Sequence, residues 1–143
     1  DELMAALDLL TGPQRRRALV AYAKAALTQA GYQPQLSACG VCGRLPGPDE
    51  PMLFSPVAGG LICPTCSAPG RSLPTTGRLA AALGRLPTPR QLQNAPPGRP
   101  ADSHALLAAL QLLLAQIEAL TDKPLKTRGL LPTIFAAPLP ETR

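Results

Sequence analysis

Cys39-Gly40-Val41-Cys42 and, twenty residues further on, Cys63-Pro64-Thr65-Cys66 decide how this 143-residue chain folds, and they hold all four of its cysteines. Each CxxC step puts two thiolates on one tight turn, and the stretch between the steps is long enough to fold back as a hairpin. Two such turns facing each other make a four-thiolate cage, which suits Zn2+ bound tetrahedrally at about 2.3 Å and closed to water. Cys39, Cys42, Cys63 and Cys66 are therefore the candidate metal ligands. A cage with no open coordination position holds structure and activates no water. The rival chemistry is thiol–disulfide exchange, which one CxxC alone suggests. Here both steps fall on turns of a hairpin, and neither heads a helix that follows a buried strand.

Between the two steps, Pro46 to Pro51 is turn material and Met52–Ser55 reads as a short strand. Ala58-Gly59-Gly60 then turns the chain into a second strand, Leu61-Ile62, which delivers Cys63. The insert occupies about residues 36–70. Upstream of it, residues 2–11 carry Leu3, Met4, Leu7 and Leu10 at helical spacing, stopped by Gly12-Pro13. Pro13 suits the first turn of a second helix, where its missing N–H costs nothing. That helix runs to about Ala30 with Leu19, Ala23, Ala26, Leu27 and Ala30 on one face, and Gly31 stops it.

Downstream, Leu73 to Thr76 opens a third helix over roughly 75–86, with Leu79, Ala82, Leu83 and Leu86 as its face. Thr88-Pro89 starts a single helical turn through Asn94, and Ala95 to Pro100 reads as a linker or surface loop. Asp102 or Ser103 caps a last helix over about 103–121, whose stripe of Leu106, Leu107, Leu110, Leu113, Leu114, Ile117 and Leu120 is the strongest in the chain. The tail beyond Lys123 is proline-broken and irregular. The expected fold class is mainly α: a single helical domain over 1–143 with a small four-cysteine zinc-finger β-hairpin insert.

Composition explains why such a chain wants a staple. Hydrophobic content is 45%, but most of it is Ala and Leu, and Tyr22, Tyr32, Phe54 and Phe135 are the aromatics. Alanine buries little surface, so the core is thin for its length. Eighteen prolines and twelve glycines push much of the chain out of regular structure. Structural zinc in small peptides supplies about 10–16 kcal/mol of apparent binding free energy, enough to matter here.

The net charge is +5, with eleven arginines against three lysines. That permits a polyanionic partner without demanding one. Arg15-Arg16-Arg17 opens the second helix, where positive charge opposes the helix dipole; Lys123, Lys126 and Arg128 follow the last helix, where cations favour it. Both groups are candidate nucleic-acid contacts; solvated surface charge is the plainer reading of the first and weighs evenly against phosphate contact for the second. With four scattered aromatics there is no base-stacking platform, so such a grip is electrostatic and blind to sequence.

His104, the one histidine, sits beside the start of the last helix with no nucleophile set around it, and Gly59-Gly60 lacks the Lys-Ser/Thr of a phosphate loop. The expectation is a protein that is not an enzyme. No signal peptide or membrane span is read, since the apolar run from Ala105 to Leu114 is broken by Gln111 and short for a bilayer. Paired CxxC steps without a secretory signal suit a reducing, cytoplasmic setting. The chain opens at Asp1 inside a helical pattern and is expected to be a fragment or processed piece of something longer.

These residues resemble the C-terminal region of the bacterial recombination mediator family RecO. The resemblance is carried by Ala30-Gly31-Tyr32, the step from Pro34 to Leu36, and Cys39-Gly40-Val41-Cys42-Gly43. It continues through Leu53-Phe54-Ser55-Pro56 and Gly59-Gly60-Leu61-Ile62-Cys63, and ends on the basic close from Asp122 to Arg128. Together these pieces span roughly 2–130. The resemblance implies a helical domain with a four-cysteine zinc finger, preceded in the family by an OB-fold. It implies binding of single- and double-stranded DNA, strand annealing, and action with RecR to displace single-stranded-DNA-binding protein so that the recombinase loads. The cysteines carry over one by one, and the basic residues as a tendency. The alternative of a different class is a zinc-stapled protein–protein interaction module without DNA binding of its own.

Overall fold

A computed structural model of the chain describes residues 2–10, 12, 14–67, 70, 72–95, 103–126, 129 and 132. Among them are five helices and three strands: α1 (Glu2–Leu9), α2 (Arg15–Gln29), β1 (Pro51–Ser55), β2 (Gly60–Ile62), β3 (Leu73–Thr76), α3 (Gly77–Gly84), α4 (Pro89–Asn94) and α5 (Ser103–Thr121). Pro13, Asp102, the linker from residue 96 to 100 and the tail from 133 onward lie outside the described residues.

The insert is not a hairpin alone. Its sheet has three antiparallel strands in the order β2-β1-β3, with Phe54 opposite Leu61 on one side of β1 and Met52 opposite Thr75 on the other. The expected third helix from about residue 75 is thereby corrected: Leu73–Thr76 is a strand, and the helix begins at Gly77. Pro74 hid the strand in the sequence, since proline cannot donate to a ladder. It is accommodated because β3 lies at the sheet's edge. Thr76 ends the strand and caps the helix, its hydroxyl accepting from the Leu79 amide at 3.2 Å. The face of α3 turns accordingly, burying Gly77, Ala80 and Leu83 and leaving Ala82 exposed.

Alternation along β1 sends Met52 and Phe54 inward. They meet Leu61, Leu83 and a layer from α2 and α5 that includes Val20, Leu27, Leu110 and Leu113. The last helix, long and apolar enough to cross a membrane by length and composition, here buries Ala109, Leu110, Leu112, Leu113, Ala115 and Gln116 in the protein. At the other end, α1 packs on α4 and α2 through Ala5 and Ala6. Leu3, Met4 and Leu7 of its apolar stripe remain exposed. The expected turn at Thr88-Pro89 is a six-residue helix with a full capping box between Thr88 and Gln91, and Glu2 accepts from the Arg90 amide at 2.9 Å.

The path into the cysteine turns is set by one short bridge. Gln35 pairs with Gly60 in parallel, its amide donating to Gly59 and its carbonyl accepting from Leu61, both at 2.9 Å. This extends the sheet past β2 and carries Leu36 into the core just ahead of Cys39.

Candidate metal centre and basic surfaces

Two turns build the centre. The first follows the Gln35 bridge and is closed by the Gly43 amide donating to the Cys39 carbonyl at 2.9 Å and the Cys39 amide to that of Arg44 at 3.0 Å. The second leaves β2 directly, with the Cys66 amide donating to the Cys63 carbonyl at 3.0 Å. A third bond, from the Gly40 amide to the Leu61 carbonyl at 2.8 Å, pins one turn against the other. Backbone geometry, not the cysteines themselves, fixes the approach.

The result brings together the sulfurs of Cys39, Cys42, Cys63 and Cys66, all within 4.8 Å of one another. Tetrahedral coordination at about 2.3 Å per sulfur requires sulfurs about 3.8 Å apart. Cys42 and Cys63 stand at 3.8 Å. The cluster can therefore hold a metal ion with little movement. Cys39 and Cys63 are buried, Cys66 is half-buried and Cys42 is exposed.

The surroundings favour thiolates. The Cys39 thiol is lowered to about 6 by N–H groups, chiefly that of Cys42 and then those of Cys63 and Val41. Two of these bonds are direct, from the Cys63 amide at 3.3 Å and the Val41 amide at 3.5 Å. Cys66 is instead pushed up to about 12 by the facing sulfurs of Cys63 and Cys42. Four sulfurs at this spacing cannot all carry charge without a cation among them, so an ion entering the cluster would displace protons from it. Next to the cage, Arg44 pairs with Glu50 at 2.5 Å. Glu50 also accepts from the Gly47 amide at 2.9 Å, and that bond, ahead of Arg44, holds its carboxyl below the ordinary value.

The basic groups are dispersed. Arg15, Arg16 and Arg17 are all half-buried in the first turn of α2, and Arg16 donates to the Ser103 hydroxyl at 2.8 Å, tying the start of α2 to the start of α5. Lys123 and Lys126 are exposed beyond α5, and Arg128 lies outside the described residues. Lys123 shares its groove with Glu118 and Asp122. His104 is exposed at the start of α5.

Two cations that the sequence did not single out stand close together. Lys24 donates to the carbonyls of Gly84 at 2.8 Å and Leu86 at 3.2 Å, at the C-terminal end of α3, and Arg85 lies between them in sequence. The signal was present as the one cation within the alanine-rich part of α2 and as an arginine directly after a glycine that ends a helix.

Comparison with known proteins places this geometry. A family model described as "Recombination protein O C terminal" matches residues 1–129. A protein named "DNA repair protein RecO" from Anaeromyxobacter sp. (strain Fw109-5) is 40% identical over 88 residues, covering 59% of this chain and 33% of that protein. One of the same name from Synechococcus sp. (strain JA-3-3Ab) is 35% identical over 119 residues, covering 81% of this chain and 38% of the relative. The chain thus spans about a third of the length of these curated relatives. No solved structure matches the chain at a significant level.

Proposed function

The chain belongs to the recombination protein O family over residues 1–129, and from that premise we propose that it is the C-terminal part of a DNA-repair mediator working in homologous recombination. Its role is non-catalytic: it contributes to binding single- and double-stranded DNA, to annealing strands, and with RecR to displacing single-stranded-DNA-binding protein so that recombinase loads. The setting is the bacterial cytoplasm, at the nucleoid. The observation that carries this reading is the family match across nearly the whole chain. The net charge of +5 supports it, because a polyanion is the partner such a charge steers.

The ion assigned to the cage is Zn2+. Four thiolates at tetrahedral separation are the donor set that structural zinc prefers, with iron as the competitor for the same ligands. Bound there, the ion locks the two turns and leaves no position for substrate. Cys39, Cys42, Cys63 and Cys66 would hold it, tying both turns to the β2 edge of the sheet.

The test is fluorescence anisotropy of a labelled oligothymidylate against the whole chain over a range of salt. DNA binding through phosphates gives a log–log slope of about −0.7 for each phosphate neutralised. Failure to bind at low salt assigns the chain instead to zinc-stapled protein–protein interaction. Val41 at 69% and Leu45 at 74% exposure, two apolar side chains on the first turn, favour that second reading. A pull-down with purified RecR then becomes the deciding measurement.

A further inference from the structure

Three cations on the described surface stand beside a carboxylate. Arg44 is paired with Glu50, Arg78 with Asp49, and Lys123 sits in a groove beside Glu118 and Asp122. Lys24 and Arg85 differ. They line a cleft of about 460 Å³ between α3 and residues 33–37, and among the described residues no acidic one lines it. Its polar lining is otherwise neutral, from Gln33, Gln35 and Ser37.

Lys24 is fixed in that cleft. Two of its three protons go to the carbonyls of Gly84 and Leu86, which leaves one donor for a ligand. Burial alone pushes its ammonium below the ordinary value, consistent with a cation that no carboxylate compensates. Arg85 is exposed and caps α3 through its backbone, so its guanidinium is available. Arg17 stands seven residues before Lys24 on α2, on the same face and about 10 Å along the helix. Two cations in the cleft and a third one helix face beyond it suit a repeating charge better than a single terminal one. A groove lined by one sign of charge between low-dielectric walls focuses the field and concentrates anions.

We propose that the cleft between α3 and residues 33–37 binds the phosphate backbone of single-stranded DNA, with Arg85 and Lys24 as its anchors and Arg17 extending the track along α2. The proposal rests on the DNA-binding reading above and gives it a place. The side-chain amides of Gln33 and Gln35 add hydrogen bonds to sugar or base without selecting sequence, as a general mediator requires.

Arg85→Gln is the informative variant, because the side chain is exposed and its removal leaves α3 capped. Anisotropy with a labelled oligothymidylate over a salt series should show a several-fold loss of affinity at low salt and a slope shallower by about 0.7. Arg85→Lys should restore most of that slope, and adding Arg17→Gln to Arg85→Gln should lower it by about as much again. Arg78→Gln, outside the cleft and paired with Asp49, should leave it unchanged. An Arg85→Gln slope equal to that of the parent chain overturns the cleft assignment and leaves DNA binding itself standing. A parent chain that does not bind the oligonucleotide overturns both. Binding of an oligoglutamate peptide in place of the oligonucleotide, abolished by Arg85→Gln, assigns the cleft to an acidic polypeptide and also overturns the proposal.

Discussion

Gln116, 3% exposed in the middle of α5, donates from Nε2 to the carbonyl of Tyr32 at 2.8 Å across 84 positions of sequence. Its Oε1 is buried without a hydrogen-bond partner in the structure. A polar side chain at this depth costs stability unless its one bond is well made, so Gln116 specifies where α5 sits against the chain leaving α2. The same amide sets a limit on the β1–β2 turn, because a Cβ added to Gly59 would lie 2.9 Å from Nε2.

Gly59→Ala is expected to destabilise the protein by two separable effects. Its φ of +70° costs alanine about 1–2 kcal/mol, and the contact with Gln116 adds to this. In a Gln116→Ala background the contact disappears and only the backbone part remains. Thermal denaturation of the two single variants and the double variant should therefore be non-additive, with the double variant more stable than the sum of its parts. Additive losses would show that the amide yields freely.

Gly77→Ala should be more damaging than any other small substitution in α3. The new Cβ would fall 2.1 Å from the Gly47 carbonyl oxygen, which is backbone and cannot rotate away. The first amides of the helix donate to the carbonyls of Glu50 and Pro48, so the two segments cannot separate without losing those bonds. The expected cost is about 2 kcal/mol or more, read as a melting temperature lower by about 4 °C per kcal/mol. A melting curve unchanged from the parent would mean that α3 does not abut the Gly47 turn as described.

Cys63→Ser tests the metal centre. Elemental analysis should show near-complete loss of the ion, and chelation of the parent should release it with four thiols becoming reactive together. Structural sites of this kind contribute about 10–16 kcal/mol of apparent binding free energy, so the sheet should lose its order without it. The signal of α5 in far-ultraviolet circular dichroism should largely persist, since its core partners on α2 remain. Full metal occupancy in the variant would exclude Cys63 as a ligand. Metal-free parent protein with a reducible disulfide would point to thiol exchange.

Glu50 gives a pH dependence with a definite sign. The Gly47 amide, and after it Arg44, lowers its folded-state pKa below the ordinary 4.5. A depressed carboxyl stabilises the fold above its unfolded pKa and loses that contribution as pH falls through the folded value. The melting temperature of the parent should exceed that of Glu50→Gln at neutral pH, and the gap should close below about pH 4. Acid release of the metal affects both proteins alike, so the difference between the curves isolates Glu50.

Helix positions were legible from the sequence wherever a stop residue agreed with the apolar period, as at Gly31 after α2 and Thr88-Pro89 before α4. The sheet was legible only in part. Met52–Ser55 and Leu61-Ile62 alternate cleanly, whereas Leu73–Thr76 carries a proline that local rules assign to a turn, and only an edge position reconciles it with a strand. The clustering of the four cysteines could be read from spacing because two tight turns leave a cysteine pair little freedom. The Lys24–Arg85 cleft could not, because its members are 61 positions apart and meet only where the Lys24 ammonium reaches the end of α3. The exposed side of α1 shows the same limit: an apolar period declares a helix, and the neighbours decide which side of it is buried.

Thr76 is at once the last residue of β3 and the cap of α3, with no loop between them. Strand and helix therefore meet at a single residue, with no hinge between them. The helix leaves the sheet at its β3 edge, across β1 from the cysteine turns beside β2, and its far end, about 12 Å along, carries Gly84 and Arg85. Arg85 is thus placed by a junction without a hinge at one end of the helix and by Lys24 at the other, so the position of this surface cation follows from the packed core and not from a loop.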